Sequence, residues 1–239
     1  MACVAALALL SGCRGGRIPS ESSSGAFSTR RSEVLASLDG AETRWADVRT
    51  YAAKNAKARV DMGGRDVSLR ANLSFARDAA TSVSGRLLFP PISVGQAVLD
   101  NSQLRVSSRQ FEVDKAIKVP DFANEILQSA LLGQAPPLYR LFGESDYSRF
   151  DLALTSDDKY VLRRSGRGIE VVVFVNAADF TLAGVNMSAD GEKLVLSVGD
   201  YAVFGGHRLP GLFRASVTRR GASKSSMELS LSDIKINQE

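Results

Sequence analysis

The 239-residue chain contains two cysteines, one histidine and one tryptophan. That leaves few donors for a zinc cluster and no second histidine for paired acid–base work. Lysine and arginine total 30 against 26 aspartates and glutamates, a formal charge of +4, and these charges are scattered along the chain. The absence of a basic stripe argues against a nucleic-acid surface. No apolar run approaches the roughly 20 residues that a membrane-crossing helix needs. What remains is a globular balance, 44% hydrophobic and 23% charged, which supports a packed core rather than disorder.

The N-terminus carries a targeting signature. Val4 to Leu10 form a short uncharged apolar run with the length of a signal-peptide core. Leu10-Ser11-Gly12-Cys13 follows and resembles the lipobox of bacterial lipoproteins, whose cysteine receives diacylglycerol. Cleavage before Cys13 removes Cys3, so no intramolecular disulfide remains. The residues ahead of the apolar run include no Lys or Arg, so translation is expected to start upstream. From Arg14 onward the chain is rich in Gly, Ser and Arg with no hydrophobic period, the composition of a flexible tether. Position 14 is Arg rather than Asp, which by likeness to lipoproteins in general implies anchoring in the periplasmic leaflet of the outer membrane. The expected division is a signal peptide over 1–12, Cys13 with its tether over 13–31, and one domain over 32–239.

That domain opens with an irregular helical stripe through Ser32 to Leu38 and Glu42 to Tyr51. The hydrophobic period then becomes two. Val67, Leu69, Ala71, Leu73 and Phe75 alternate with polar residues, the pattern of a strand with one wet face. Similar segments end with Met227 to Ile236, and turn residues such as Asp190-Gly191 separate them. About eleven strands with short connections predict an antiparallel meander that must curl to hide its edges. In the last segment the apolar phase runs Met227, Leu229, Leu231 and then slips to Ile234 and Ile236, which predicts a β-bulge. Ile169 to Val175 is apolar on both faces, so something is expected to cover it.

The meander is interrupted between 121 and 142. Asp121 reads as an N-cap, Phe122, Ile126, Leu127 and Leu131 form a wide apolar stripe, and Gly133 with Pro136-Pro137 ends the helix. It is expected to act as a lid or plug on the concave face, or simply to complete the core.

Lipobox, tether, helix, meander and mid-chain helix together resemble the LolA/LolB-like superfamily of bacterial lipoprotein carriers and receptors, and more closely an uncharacterised lipoprotein family within it. The stretches that carry the likeness are Phe89 to Gln96, Phe122 to Gly143 and Tyr201 to Pro210. The resemblance implies an unclosed antiparallel half-barrel, mainly β, with an N-terminal helix and a helical lid over a cavity for acyl chains. On that expectation the cavity wall is Leu73, Phe75, Leu87, Leu104, Val106, Val172, Phe174, Leu182, Leu194 and Leu196, and the lid residues are Phe122, Ile126, Leu127 and Leu131. The loop around Phe89 and Ile92 matches the apolar loop with which anchored receptors deliver lipoprotein to the membrane. The implied partners are the membrane, through the lipid anchor, lipid or lipoprotein acyl chains, and a periplasmic carrier protein. The chain is expected to be monomeric.

Other constellations point to little chemistry. His207 has no Cys or His within metal spacing and reads as a turn residue, Asp157-Asp158 as turn carboxylates, and Arg163-Arg164 as solvated strand-end charges. No catalytic residue, metal or cofactor is assigned. Three function classes follow in order: a lipid- or lipoprotein-handling protein, a structural envelope lipoprotein whose barrel is filled by its own core, and a hydrolase.

Overall fold

The computed structural model describes residues 26–39, 45–62, 66–77, 79–87, 93–100, 103–108, 112–219 and 225–237. Helix α1 spans Ala26–Asp39, beginning inside the segment read as tether. Six strands follow: β1 Thr50–Met62, β2 Asp66–Ala76, β3 Thr81–Leu87, β4 Ser93–Leu99, β5 Gln103–Ser108 and β6 Val113–Lys118. Helix α2, Ala123–Leu131, and a 3₁₀ turn, Leu138–Phe142, come next. The remaining strands are β7 Asp151–Leu154, β8 Lys159–Gly166, β9 Ile169–Asn176, β10 Leu182–Ala189, β11 Glu192–Phe204, β12 His207–Thr218, β13 Ser225–Ser230 and β14 Ile234–Ile236.

All of them belong to one antiparallel sheet, in the order β6-β5-β4-β3-β2-β1-β13-β12-β11-β10-β9-β8-β7, with β14 also paired to β1. The sheet is unclosed, since β6 and β7 form its two edges. This is the predicted half-barrel, with fourteen strands rather than about eleven. The difference has three sources. Residues 103–118 form two short strands, β5 and β6, the four-residue β7 is too short to show a hydrophobic period, and the segment from Met227 to Ile236 is divided between β13 and β14.

That division is the predicted bulge. Leu229, Leu231, Ile234 and Ile236 are all buried, so the phase slip keeps the apolar side chains on one face. A matching slip on β1 lies between Ala53 and Ala56, where Asn55 has a φ of 55° and the Lys54 amide donates to the Asp233 carbonyl at 3.0 Å. Both strands therefore bend at one place, which curls the sheet. Of the stripe expected to be helical over 42–51, residues 45–49 are a turn and an irregular stretch, and Thr50 and Tyr51 already belong to β1. Tyr51 and Ala53 belong to β1, one phase removed from Ala56, Ala58 and Val60, and alanines mark a strand period weakly.

Two-residue turns join the later strands. Arg167-Gly168, Asp190-Gly191 and Gly205-Gly206 all have positive φ at both positions, the conformation that matches the twist of a hairpin.

The two edges dictate the rest of the architecture. β6 precedes and β7 follows residues 119–150, so this segment must cross from one edge of the sheet to the other. It crosses over the inner face, carrying α2 and the 3₁₀ turn, and its apolar side chains join the core formed by the strands.

Candidate functional site

The inner face of the sheet is the site in question, and its two arms are covered differently. Over β8–β12 the crossing segment lays down Leu131, Leu132, Leu138, Leu141, Phe142, Tyr147 and Phe150, and α1 adds Val34 and Leu38. Leu162, Val171, Val173, Val175, Leu182 and Leu209 beneath them are completely buried. Tyr147 and Phe150 meet edge to face at 4.8 Å, and the Tyr147 hydroxyl donates to the Pro136 carbonyl. Burial pushes the Tyr147 hydroxyl pKa upward. Arg164 donates to Glu144 at 2.7 and 3.0 Å and lies 5.6 Å from the Phe142 ring centre, so it is an inward, paired residue rather than the solvated strand-end charge expected. Arg31 of α1 donates to the carbonyls of Ser148 and Phe150, both at 2.7 Å, fastening the helix to the crossing segment.

The end of α2 is anchored to the same arm. Gly133 has a φ of 72°, and a Cβ there would stand 2.8 Å from the Tyr201 ring, so both conformation and space require glycine. Its carbonyl accepts from the Leu182 amide at 2.8 Å, while the Tyr201 hydroxyl donates to the Leu182 carbonyl at 2.5 Å. At the other end, Phe122 rather than Asp121 occupies the N-cap position, with no side-chain cap. A side-chain network holds this end instead: the buried Thr81 hydroxyl donates to Asn124 Oδ1 at 2.7 Å, and Asn124 Nδ2 and Gln128 Nε2 both donate to the Ala79 carbonyl. The lid helix is thus pinned to the start of β3.

The arm β3–β6 has thinner cover. A small separate cluster of Leu99, Leu104, Val119 and Ala123 closes its end near the network. Beyond that cluster, Val83, Ala97, Val106 and Ile117 remain partly exposed, and α2 reaches this side with Leu127, which touches both clusters. Among the described residues, an added Cβ at Gly85 would meet nothing within 4 Å.

Of the expected wall residues, Leu73, Phe75 and Leu182 are buried in the main core, and Leu194 and Leu196 pack against it. Leu104 is buried in the smaller cluster and Val106 packs on it. Val172 and Phe174 are corrections. Val171, Val173 and Val175 face the core, so alternation puts Val172 and Phe174 on the convex face, outside both clusters. Among the lid residues, Leu131 is buried and Phe122, Ile126 and Leu127 pack at the edge of the core. The Leu87 side chain, the Phe89 and Ile92 loop and Cys13 lie outside the described residues.

Sequence reasoning missed the aromatic cover of Phe142, Tyr147 and Phe150 and the inward valines of β9. The register of the β8–β9 hairpin pairs Leu162 with Val173 and Arg163 with Val172, which was the available signal. It was masked because Arg163-Arg164 places a charge on each face. His207 lies beside Trp45, 5.1 Å between ring centres, and 3.3 Å from Asp47. On the convex face a depression of about 340 Å³ is lined by Arg59, Asp66, Arg214 and Glu228, whose charges pair as Arg59 with Asp66 and Arg214 with Glu228. Among the described residues no group of three or more His, Cys, Asp or Glu is placed to hold a metal, and no helix is long and apolar enough to cross a membrane.

No protein-family model matches the chain, and no curated protein matches its sequence. Solved structures match in fold. A domain assigned to outer membrane lipoprotein sorting, from Vibrio parahaemolyticus, aligns at TM-score 0.53 and 13% identity, covering 86% of this chain and 94% of that one. A DUF1329 family protein from Desulfovibrio piger aligns at TM-score 0.51 and 12% identity, over 87% and 92% of the two chains. A LolA superfamily protein from Nitrosomonas europaea aligns at TM-score 0.49 and 14% identity, over 87% and 94%. At these identities the likeness is one of fold: the chain has an unclosed antiparallel half-barrel similar to those of the Vibrio domain and the DUF1329 protein.

Proposed function

We propose that this protein is a non-enzymatic, lipid-anchored protein of the bacterial envelope that holds acyl chains of lipid or lipoprotein on the inner face of its half-barrel, in lipid or lipoprotein trafficking or insertion. The observation that carries the reading is the partly uncovered apolar surface on β3–β6, beneath a helix that crosses the mouth of the sheet. Apolar surface left open inside a fold marks a binding region more often than an unfinished core. The fold it shares with a lipoprotein-sorting domain supports the same reading.

In this proposal Cys13 bears the lipid, residues 14 onward give the domain slack, and the protein sits on the periplasmic face of the outer membrane as a monomer. Phe89 and Ile92 are the candidates for contact with membrane during transfer, and a periplasmic carrier is the candidate protein partner. Lipoprotein anchoring uses several chains because one short chain holds only marginally. Cys13→Ala should therefore move the protein from the membrane to the soluble fraction on cell fractionation. Retention at the wild-type level would remove the lipoprotein assignment.

The acyl-binding reading is tested by lipid extraction and mass spectrometry of the purified protein, followed by titration with a fluorescent fatty acid. Copurified lipid or saturable micromolar binding is expected. Neither would promote the second reading, a structural envelope lipoprotein, which the completely filled arm β8–β12 favours.

A further inference from the structure

We propose that the open trough on β3–β6 seats a single fatty-acyl chain whose carboxylate headgroup pairs with Lys115 at the β6 edge. This rests on the acyl-binding reading above and adds the place and the ligand class. The register puts Val83, Ala97, Val106 and Lys115 in one row across four neighbouring strands. Alongside it, Ala71 pairs with Gly85, and Ala71 faces the core, so the space above Gly85 opens on the inner face. The floor is therefore small and apolar, its sides are Val83, Val106 and Leu127, and its inner end is closed by Leu99, Leu104 and Ala123. A flexible aliphatic chain fills such a groove, whereas a polar ligand would find no partner on Val83, Ala97 or Val106.

Lys115 supplies the polarity of the other end. Ile117, two residues on, packs in the smaller cluster, so alternation places Lys115 on the same inner face and Asp114 and Lys118 on the outer one. Lys115 is exposed and has no ion-pair partner among the described residues. Its stem extends the apolar row while its ammonium reaches water, the arrangement that suits an anion at the rim of an apolar groove. A lysine whose only role is to blunt an edge strand would show no preference for the headgroup of a bound chain.

The test uses the full chain with Cys13→Ala, so that no covalent lipid competes, and measures displacement of a fluorescent fatty acid by hexadecanoate and by hexadecanol. In this background Lys115→Glu should weaken hexadecanoate about fivefold, the scale of an exposed ion pair, and leave hexadecanol unchanged. Equal effects on both ligands would overturn the headgroup assignment. Gly85→Phe should fill the trough and weaken both ligands about tenfold or more, since losing burial of two methylenes suffices, with the melting temperature unchanged. Ala97→Leu should do the same and stands in should Gly85→Phe fail to fold. Wild-type affinity in a folded trough variant would place the chain elsewhere and sink this proposal alone. No binding of either ligand by the parent protein would sink the acyl-binding reading itself.

Discussion

Strands β8–β12 and strands β3–β6 belong to one continuous sheet, yet their inner faces meet different neighbours. Above β8–β12 the crossing segment stacks Phe142, Tyr147 and Phe150 with four leucines, and Leu162, Val171, Val173 and Val175 are wholly removed from water. Above β3–β6 the same segment offers the small Ala123 and one face of Leu127, and the strands themselves contribute Gly85 and Ala97. Both arms are covered by one crossing segment in transit between the two edges, and the difference lies in the volume of the side chains it lays on each and in α1, which adds Val34 and Leu38 to the main core. One arm is built as core and the other keeps apolar side chains partly exposed.

The largest expected effect comes from placing the same charge on each arm. Val173→Asp puts an unpaired carboxylate where no water reaches, which should cost about 4 kcal/mol or more, a large share of the stability of a typical domain. Val106→Asp, at a partly exposed position beside Lys115, should cost about 1 kcal/mol. Thermal unfolding of the two variants checks this directly. Similar losses would mean that β3–β6 is as closed as β8–β12.

Next in size is the tie between the lid helix and the open arm. Asn124→Ala removes the acceptor of the buried Thr81 hydroxyl and one of the two side-chain donors to the Ala79 carbonyl, at about 1–3 kcal/mol. The loss should be local. Hydrogen exchange is expected to quicken in α2 and β3 while β8–β10 keep their protection, and uniform loss of protection would mean that the arms unfold as one unit.

How far these differences could be read from the sequence depends on the residue. The curl was legible, because Leu229, Leu231, Ile234 and Ile236 change phase with large side chains. The equal slip on β1 was not, because Ala53, Ala56 and Ala58 are small enough to suit a helix as well. The lid helix was legible in its apolar stripe, but its N-terminal anchor was not, since Thr81 and Asn124 are 43 positions apart and meet through tertiary structure. The open arm could not be read at all. Ala97 and Gly85 signal unfilled space when the crossing segment above them is also small, and that coincidence exists in the fold alone.

Phe174 sharpens the comparison through the choice of face. From sequence, Phe174 belonged to the cavity wall, whereas the inward positions of β9 are Val171, Val173 and Val175, all packed in the core. Phe174 is partly exposed on the convex side, so Phe174→Thr should cost about 1 kcal/mol, roughly half the worth of a fully buried phenylalanine. It should leave fatty-acid binding at the wild-type level, whereas an abolished titration would return Phe174 to the binding surface.

The smallest effect, and the one with opposite sign, is expected on β1 between the two arms. Tyr51 is 1% exposed, stacks on Phe75 at 5.1 Å, and its hydroxyl has no hydrogen-bond partner among the described residues. Burial raises its pKa, so the phenol stays neutral, yet a neutral hydroxyl without a partner still carries the cost of its lost hydration. Tyr51→Phe removes that hydroxyl while keeping the ring and its stacking. It should therefore leave stability unchanged or raise it by up to about 1 kcal/mol, read as an upward shift in the midpoint of chemical unfolding. A loss of more than about 1 kcal/mol would show that the hydroxyl is bonded in solution. The closed part of the core would then hold a water or a polar ligand atom beside Tyr51, and the contrast between the filled and the open arm would narrow.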